Sequence, residues 1–288
     1  MSQPPLSVSI RKLEEMVGMP LFVRGRQGVQ LTEAGLAALD EARRALFHAE
    51  QFRLAARAGA AGEGGTVRIG FVGSATHGIL PRILPLFRQR YPGVTVVLRE
   101  ATSIRIMQDL AEDTLEVGIV RVPVAMGSNV RLAPLTTENF ALAVPKGHPL
   151  ARRGRIRLTD LADEAFIMYT ATEAAGLRMA AINACQLRGF TPRITQEAVQ
   201  VQTLLSLVES GLGVALVPAG SRRHPGPNVI YKTLADFPAD ASIGMSLAWN
   251  PDTERSAARN LREMASQAFR DKPAKYPVPR LRQGGRQA

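Results

Sequence analysis

Cysteine is all but missing from this 288-residue chain, where Cys185 stands alone. One thiol builds neither a disulfide framework nor a cysteine metal cluster. Aromatic residues are scarce as well, at 5% with a single Trp. No apolar run approaches the roughly 20 residues that a membrane helix needs. Charges from Arg11 to Glu15 stand where a signal peptide would carry its apolar core. A secreted scaffold and a membrane protein are thereby disfavoured, and a cytoplasmic location is expected.

Signatures of catalysis are equally thin. Ser74 and His77 are close in sequence, but the stretch is not G-x-S-x-G and no acidic partner is placed by spacing. His48, His77, His148 and His224 have no metal-ligand spacing. His148, in "GHPL", reads as a turn residue. Gly211 and Gly213 lack the third glycine of a dinucleotide loop. No enzyme, cofactor or metal is expected.

Acid is also in short supply, with 25 Asp and Glu against 36 Lys and Arg, a net charge of +11. Such an excess favours polyanionic partners. Its distribution is less telling. Residues 1–66 hold eight basic and seven acidic side chains, and residues 271–288 hold five and one. Charge alone marks no DNA surface, and a solvated basic exterior accounts for it as well.

The first sixty residues are more informative. Ser2 suits an N-cap, and Pro4 and Pro5 suit a first helical turn. Leu6, Ile10, Leu13 and Val17 then form one apolar helix face. Gly18 reads as the cap and Pro20 blocks continuation. The other face carries Gln3, Ser7, Ser9, Arg11 and Lys12, amides and hydroxyls for base edges and cations for phosphates. Next, "PLFVRGRQGVQLTEAG" gives a small basic hairpin with Gly25 and Gly28 beside Arg24 and Arg26, then a helix capped by Thr32. That helix is expected over about residues 32–58, with Leu36, Leu39, Leu46, Phe47 and Leu54 as a dimerising seam that Arg43 and Arg53 interrupt. "GAAGEGG", residues 59–65, reads as a flexible joint.

"SQPPLSVSIRKLEEMVGMPLFVR" followed by "LTEAG" resembles the N-terminal module of the LysR-type transcriptional regulators. The resemblance implies a recognition helix and wing of a winged helix-turn-helix (1–31) and a dimerising linker helix with its hinge (32–65). It carries DNA contact onto Gln3, Pro4, Ser7 and Arg24; Arg11, Lys12 and Arg26 join them as phosphate-facing cations. Val8 and Ser9 depart from the family's long basic or amide side chains. The family places two helices, about twenty-five to thirty residues, ahead of this point, as a helix-turn-helix requires. The chain is therefore expected to be truncated and to bind operator DNA poorly. A band-shift assay with equal affinity with and without an upstream extension would refute this.

Beyond residue 65, strands alternate with helices. "TVRIGFVGS", "VTVVLREATS", "LEVGIVR" and "FALAVPKGHPL" each begin as apolar strands, which implies a mostly parallel sheet with covered faces. A second α/β set follows to residue 241. "GFVGSATHGILPRILPLFRQRYPGVTV", "GIVR" and "ESGLGVALVPAG" resemble the LysR-type effector domain. The implied fold is a two-lobed, periplasmic-binding-protein-like α/β domain over 66–270. Lobe one is expected at 66–157 and 242–270 and lobe two at 158–241, with crossings near Leu158 and Ala241. The basic tail, 271–288, is expected to be disordered.

Ligands of such sheets sit beyond the carboxyl ends of the strands. Ser74 with Thr76, Thr102 with Ser103, and Gln202 with Thr203 are placed at three helix starts, where amide donors and a partial positive charge suit a carboxylate. Arg121, at a strand end, adds a bidentate donor. Each Ser or Thr is equally readable as a plain cap. Family effector contacts carry over to Ser74, Ser103 and Arg121, and to Tyr169 and Gln202. The run from Gly70 to Pro92 looks most like members sensing aromatic or muconate-like carboxylates. Ala174 to Leu177 departs from them, with small residues in place of bulkier ones. The resemblance thus implies a regulator in which a small organic acid shifts dimer or tetramer geometry on promoter DNA and so recruits RNA polymerase. A solute-binding-type protein, or a ligand-binding fragment without DNA binding, is the alternative.

Overall fold

The computed structural model describes residues 3–25, 28–61, 64–125, 129–223, 226–238 and 241–270. The chain splits into two compact units, Met1–Gly62 and Glu63–Ala288. The tail 271–288 lies outside the described residues.

In the first unit, helix α1 (Gln3–Val17) stops at Gly18, whose φ of +77° takes the left-handed turn a glycine adopts without strain. The Glu14 carboxylate accepts from the amides of Leu21 (2.9 Å) and Phe22 (3.0 Å), fixing the chain's exit from the helix. Strands β1 (Phe22–Gly25) and β2 (Gly28–Leu31) form an antiparallel hairpin in which Arg24 pairs with Val29. Thr32 Oγ1 donates to Pro20 O and accepts from Gly35 N, so it caps α2 (Glu33–Ala61) and ties it to the turn after α1. Leu6, Leu13 and Val17 of the apolar stripe are exposed, as are Leu36, Leu46 and Phe52 of α2.

The joint expected at residues 59–65 is shorter than the sequence reading has it. Helix α2 runs on through Gly59 to Ala61, and strand β3 (Gly65–Phe71) already includes Gly65. Alanines at 58, 60 and 61 are strong helix formers, and one glycine among them costs only about 1 kcal/mol.

The second unit holds two lobes. In lobe one, a five-stranded sheet runs β4 (Val94–Glu100), β3, β5 (Val117–Val122), β12 (Ile243–Trp249), β6 (Arg131–Glu138). Strands β4, β3 and β5 are parallel, while β12 is antiparallel to both neighbours. Helices α3 (Leu80–Arg90), α4 (Ser103–Ala111) and α8 (Ser256–Arg270) belong to this lobe. The α3 face Leu80, Ile83 and Phe87 is buried, each side chain contributing about 1.5–3 kcal/mol by burial. Lobe two has β10 (Ala215–Pro218), β7 (Phe140–Pro145) and β11 (Val229–Lys232), all antiparallel, beside a parallel pair β8 (Ala165–Tyr169) and β9 (Arg193–Ala198). Helices α5 (Pro149–Arg152), α6 (Ala175–Gln186) and α7 (Val201–Glu209) pack on it. Each lobe has its own apolar core.

Two sequence expectations change here. Among the named strands, parallel ladders are β4–β3–β5 and β8–β9, with β12 running against both its neighbours as the chain returns to lobe one. The first crossing is at Asn139, not near Leu158, since "FALAVP" builds the second sheet and its residues join the second core. An apolar run fixes a strand but not the sheet it joins. Strand β6, with Thr136, Thr137 and Glu138 at its end, lacks the apolar alternation that would have announced the last strand before the crossing. The return lies between β11 and β12, around Ala241.

Candidate functional site

Lobe one presents the carboxyl ends of β3, β4 and β5 on one side. Past Phe71 the chain enters a single 3-10 turn, Gly73–His77, that carries Ser74 and Thr76. These two residues are therefore not at the start of α3, which begins at Leu80. Past Glu100, Thr102 is the N-cap of α4, its hydroxyl accepting from Arg105 N at 3.3 Å, and Ser103 is the first helical residue. Arg121 lies on β5, 8% exposed. Its amide donates to Ser103 Oγ (2.9 Å), its Nη2 to Ser74 Oγ (2.9 Å) and its Nη1 to Glu138 Oε1 (2.6 Å). Among the described residues, its buried Nε has no hydrogen-bond partner.

These bonds give the hydroxyls a direction. Ser74, Thr102 and Ser103 each already accept from an N–H, so each keeps its own proton to donate elsewhere. All three line a cavity of 80 Å³ between the lobes, with Arg121 beside them. Its other walls come from the start of α6 (Ala174, Ala175, Gly176) and the start of α7 (Gln200, Val201). Three helix N-termini thus border one small space. The caps of α6 and α7, Ala174 and Gln200, make no side-chain capping bond, so their first amides are not satisfied in that way. Such ends carry a partial positive charge and favour an anion. Glu173 is the one acidic lining residue, and its carboxylate accepts from the Thr170 hydroxyl at 3.0 Å and from that of Thr172.

A larger cavity of 770 Å³ shares Ser74, Arg121 and Val201 with the small one. It is lined further by Arg82, Glu138, Gln202, Arg222 and Phe269. Around it the lobes touch through polar contacts. Gly220 N donates to Glu138 Oε2 at 2.5 Å, and the Gln202 amide meets His77 Nε2 at 2.7 Å.

Of the sequence-selected residues, Ser74, Thr102, Ser103 and Arg121 are brought together at the small cavity, while Gln202 lines only the large one. Thr76 turns to Gly73 O at 2.6 Å and lines neither. Thr203 is exposed and lines neither. Tyr169 is fully buried in the lobe-two core, its hydroxyl without a hydrogen-bond partner among the described residues. Burial pushes its phenol pKa up, the nearby Arg121 charge opposing this and Glu138 adding to it. It packs rather than faces either cavity. Glu138, Gln200 and the α6 start escaped the sequence reading. Glu138 is a partner of Arg121 from a non-adjacent strand, and nothing in local spacing announces that.

In the first unit, Ser7 is half-buried, and Arg11, Lys12 and Arg24 are exposed. The side chains of Gln3 and Pro4, and Arg26 altogether, lie outside the described residues. Cys185 is buried in α6, and desolvation pushes its thiol up to about 12, well away from reactivity. Among the described residues, no helix is long and apolar enough to cross a membrane.

Comparison with known proteins agrees with this layout. The LysR substrate binding domain profile matches residues 60–270. The profile of the bacterial regulatory helix-turn-helix protein, lysR family, matches residues 1–36. The HTH-type transcriptional regulator AlsR of Bacillus subtilis (strain 168) is 36% identical over 241 residues, 84% of this chain and 80% of its own. The crystal structure of CbnR, a LysR family transcriptional regulator, superposes with a TM-score of 0.78 at 22% identity, over 94% of this chain and 91% of that one. The BenM effector binding domain with its effector benzoate gives a TM-score of 0.62 at 29% identity, over 74% of this chain and 97% of that one.

Proposed function

Because this chain belongs to the LysR family of DNA-binding transcriptional regulators, with a helix-turn-helix segment and an effector-binding domain, we propose that it senses a small carboxylate in the cleft between its lobes. It is a regulator and not an enzyme, as its curated relatives are. The observation that carries the carboxylate reading is the meeting of three helix N-termini at one cavity, with three hydroxyl protons and the Arg121 guanidinium beside them. BenM, whose effector domain is similar, has benzoate as its effector, which favours the same class here.

In the proposed mechanism the acid prefers one arrangement of the lobes and shifts the population of dimer or tetramer geometries. The α2 helix pairs two chains, its exposed Leu36, Leu46 and Phe52 supplying apolar surface. Paired α1 helices then read promoter DNA through Gln3, Pro4 and Ser7, with Arg11, Lys12, Arg24 and Arg26 on phosphates, in the cytoplasm and within reach of RNA polymerase. Thermal-shift screening of small carboxylates tests the pocket. At least one acid raises the melting temperature, and Ser74→Ala and Arg121→Ala each reduce that ligand-induced rise. No stabilisation by any acid, or an undiminished rise in both variants, sinks the reading.

A further inference from the structure

We infer that the effector is a short-chain carboxylate, and that Gly176 sets this limit by letting the two lobes close on each other. The inference rests on the carboxylate reading of the cleft and narrows it. A Cβ at position 176 would stand 1.7 Å from the Pro123 carbonyl oxygen and 2.8 Å from its carbon. Gly176 opens α6 in lobe two, and Pro123 follows β5 in lobe one. The contact is therefore backbone against backbone across the cleft, at a distance only glycine permits. Nothing flexible is available to move aside, since the opposing atoms are main-chain atoms.

The consequence is a small space. The cavity beside this contact measures 80 Å³. A dry engineered cavity that takes benzene measures about 150 Å³. Scaled on that, the space here suits on the order of three or four non-hydrogen atoms. Acetate falls in that range and propionate lies just above it; an aromatic ring with its carboxylate does not fit. The side wall is already apolar and close, with Leu177 7% exposed and Val72 likewise buried. The carboxylate meets the hydroxyls and helix tips, and the remaining carbon or two, about the size left over, meets Leu177 and its neighbours. The small residues at 174–176 thus do not enlarge the pocket. They let its walls approach.

Titration calorimetry of the full chain with acetate, propionate and benzoate tests this, on the wild type, Gly176→Ala and Leu177→Ala. The wild type is expected to bind a short acid at least about tenfold more tightly than benzoate, within the usual span of conformational coupling. Gly176→Ala props the lobes apart and weakens the short acid about tenfold. Leu177→Ala keeps closure, widens the space from the α6 side, and narrows the discrimination by admitting benzoate. Leu177→Ala carries the test alone if Gly176→Ala does not fold. Preference of the wild type for benzoate, or a ranking unchanged in every folded variant, overturns the inference while leaving the carboxylate reading intact. Binding of no acid at all overturns both.

Discussion

Arg121→Ala is expected to destabilise the effector domain by about 3–5 kcal/mol in chemical denaturation, because it removes one member of a buried ion pair. The pair is Arg121 Nη1 to Glu138 Oε1 at 2.6 Å, with the side chains 9% and 19% exposed. Both groups also line the 770 Å³ cavity, so water reaching Glu138 places the loss at the lower end of that range. With the guanidinium gone, the Glu138 carboxylate keeps only Gly220 N as a hydrogen-bond donor, and Ser74 and the β5 end lose their tie. The same pair is not expected to contribute much net stability, since taking two charges out of water offsets most of their attraction. Arg121→Met with Glu138→Leu should therefore recover most of the loss, leaving the double variant within about 1 kcal/mol of the parent. A single variant as stable as the parent, or a double variant as damaged as the single, would show that the pair is not the desolvated unit described.

This pair also shows where sequence reading stops. The strand-end position of Arg121 was legible, because the apolar run of "LEVGIVR" ends there. What the arginine touches was not. Glu138 arrives from β6 only after β12 has been inserted between β5 and β6, a pairing set by the chain's second crossing. The same limit moved the first crossing to Asn139, and it put Tyr169 in a core instead of a pocket. Residue type and local period predict a face or a cap; they do not say which of two sheets a strand joins. Thr102 illustrates the converse. Both readings of it hold geometrically, since its oxygen caps α4 while it lines the cavity. Helix tips were readable as anion sites in kind, yet one of the three converging tips, that of α6, begins with Ala174, Ala175 and Gly176 and carries no polar side chain to mark it.

Gly35→Ala should unpin the start of α2, at a cost of about 3 kcal/mol, the upper end of the usual range for overpacking. Helix propensity alone predicts the opposite, a gain of about 1 kcal/mol for alanine over glycine inside a helix. The contact decides the sign. A Cβ at position 35 would lie 2.1 Å from the Leu21 carbonyl oxygen and 3.1 Å from its carbon. That carbonyl also accepts from Thr32 N at 3.0 Å, so it cannot swing away without breaking the bond that holds the wing hairpin to the helix cap. Leu21 is itself 6% exposed, and its amide is held by Glu14 from α1. Strain at one methyl group is thus passed to α1, the hairpin and α2 together. Every contact named lies in the first unit, so the damage is expected there. Hydrogen exchange is expected to speed up at the amides of Leu21, Thr32 and Leu36, and affinity for operator DNA to fall, while the acid-induced thermal shift of the second unit persists. Slower exchange at those amides with full operator affinity would mean that propensity outweighs the contact and that the glycine of "LTEAG" is not held there by the Leu21 carbonyl.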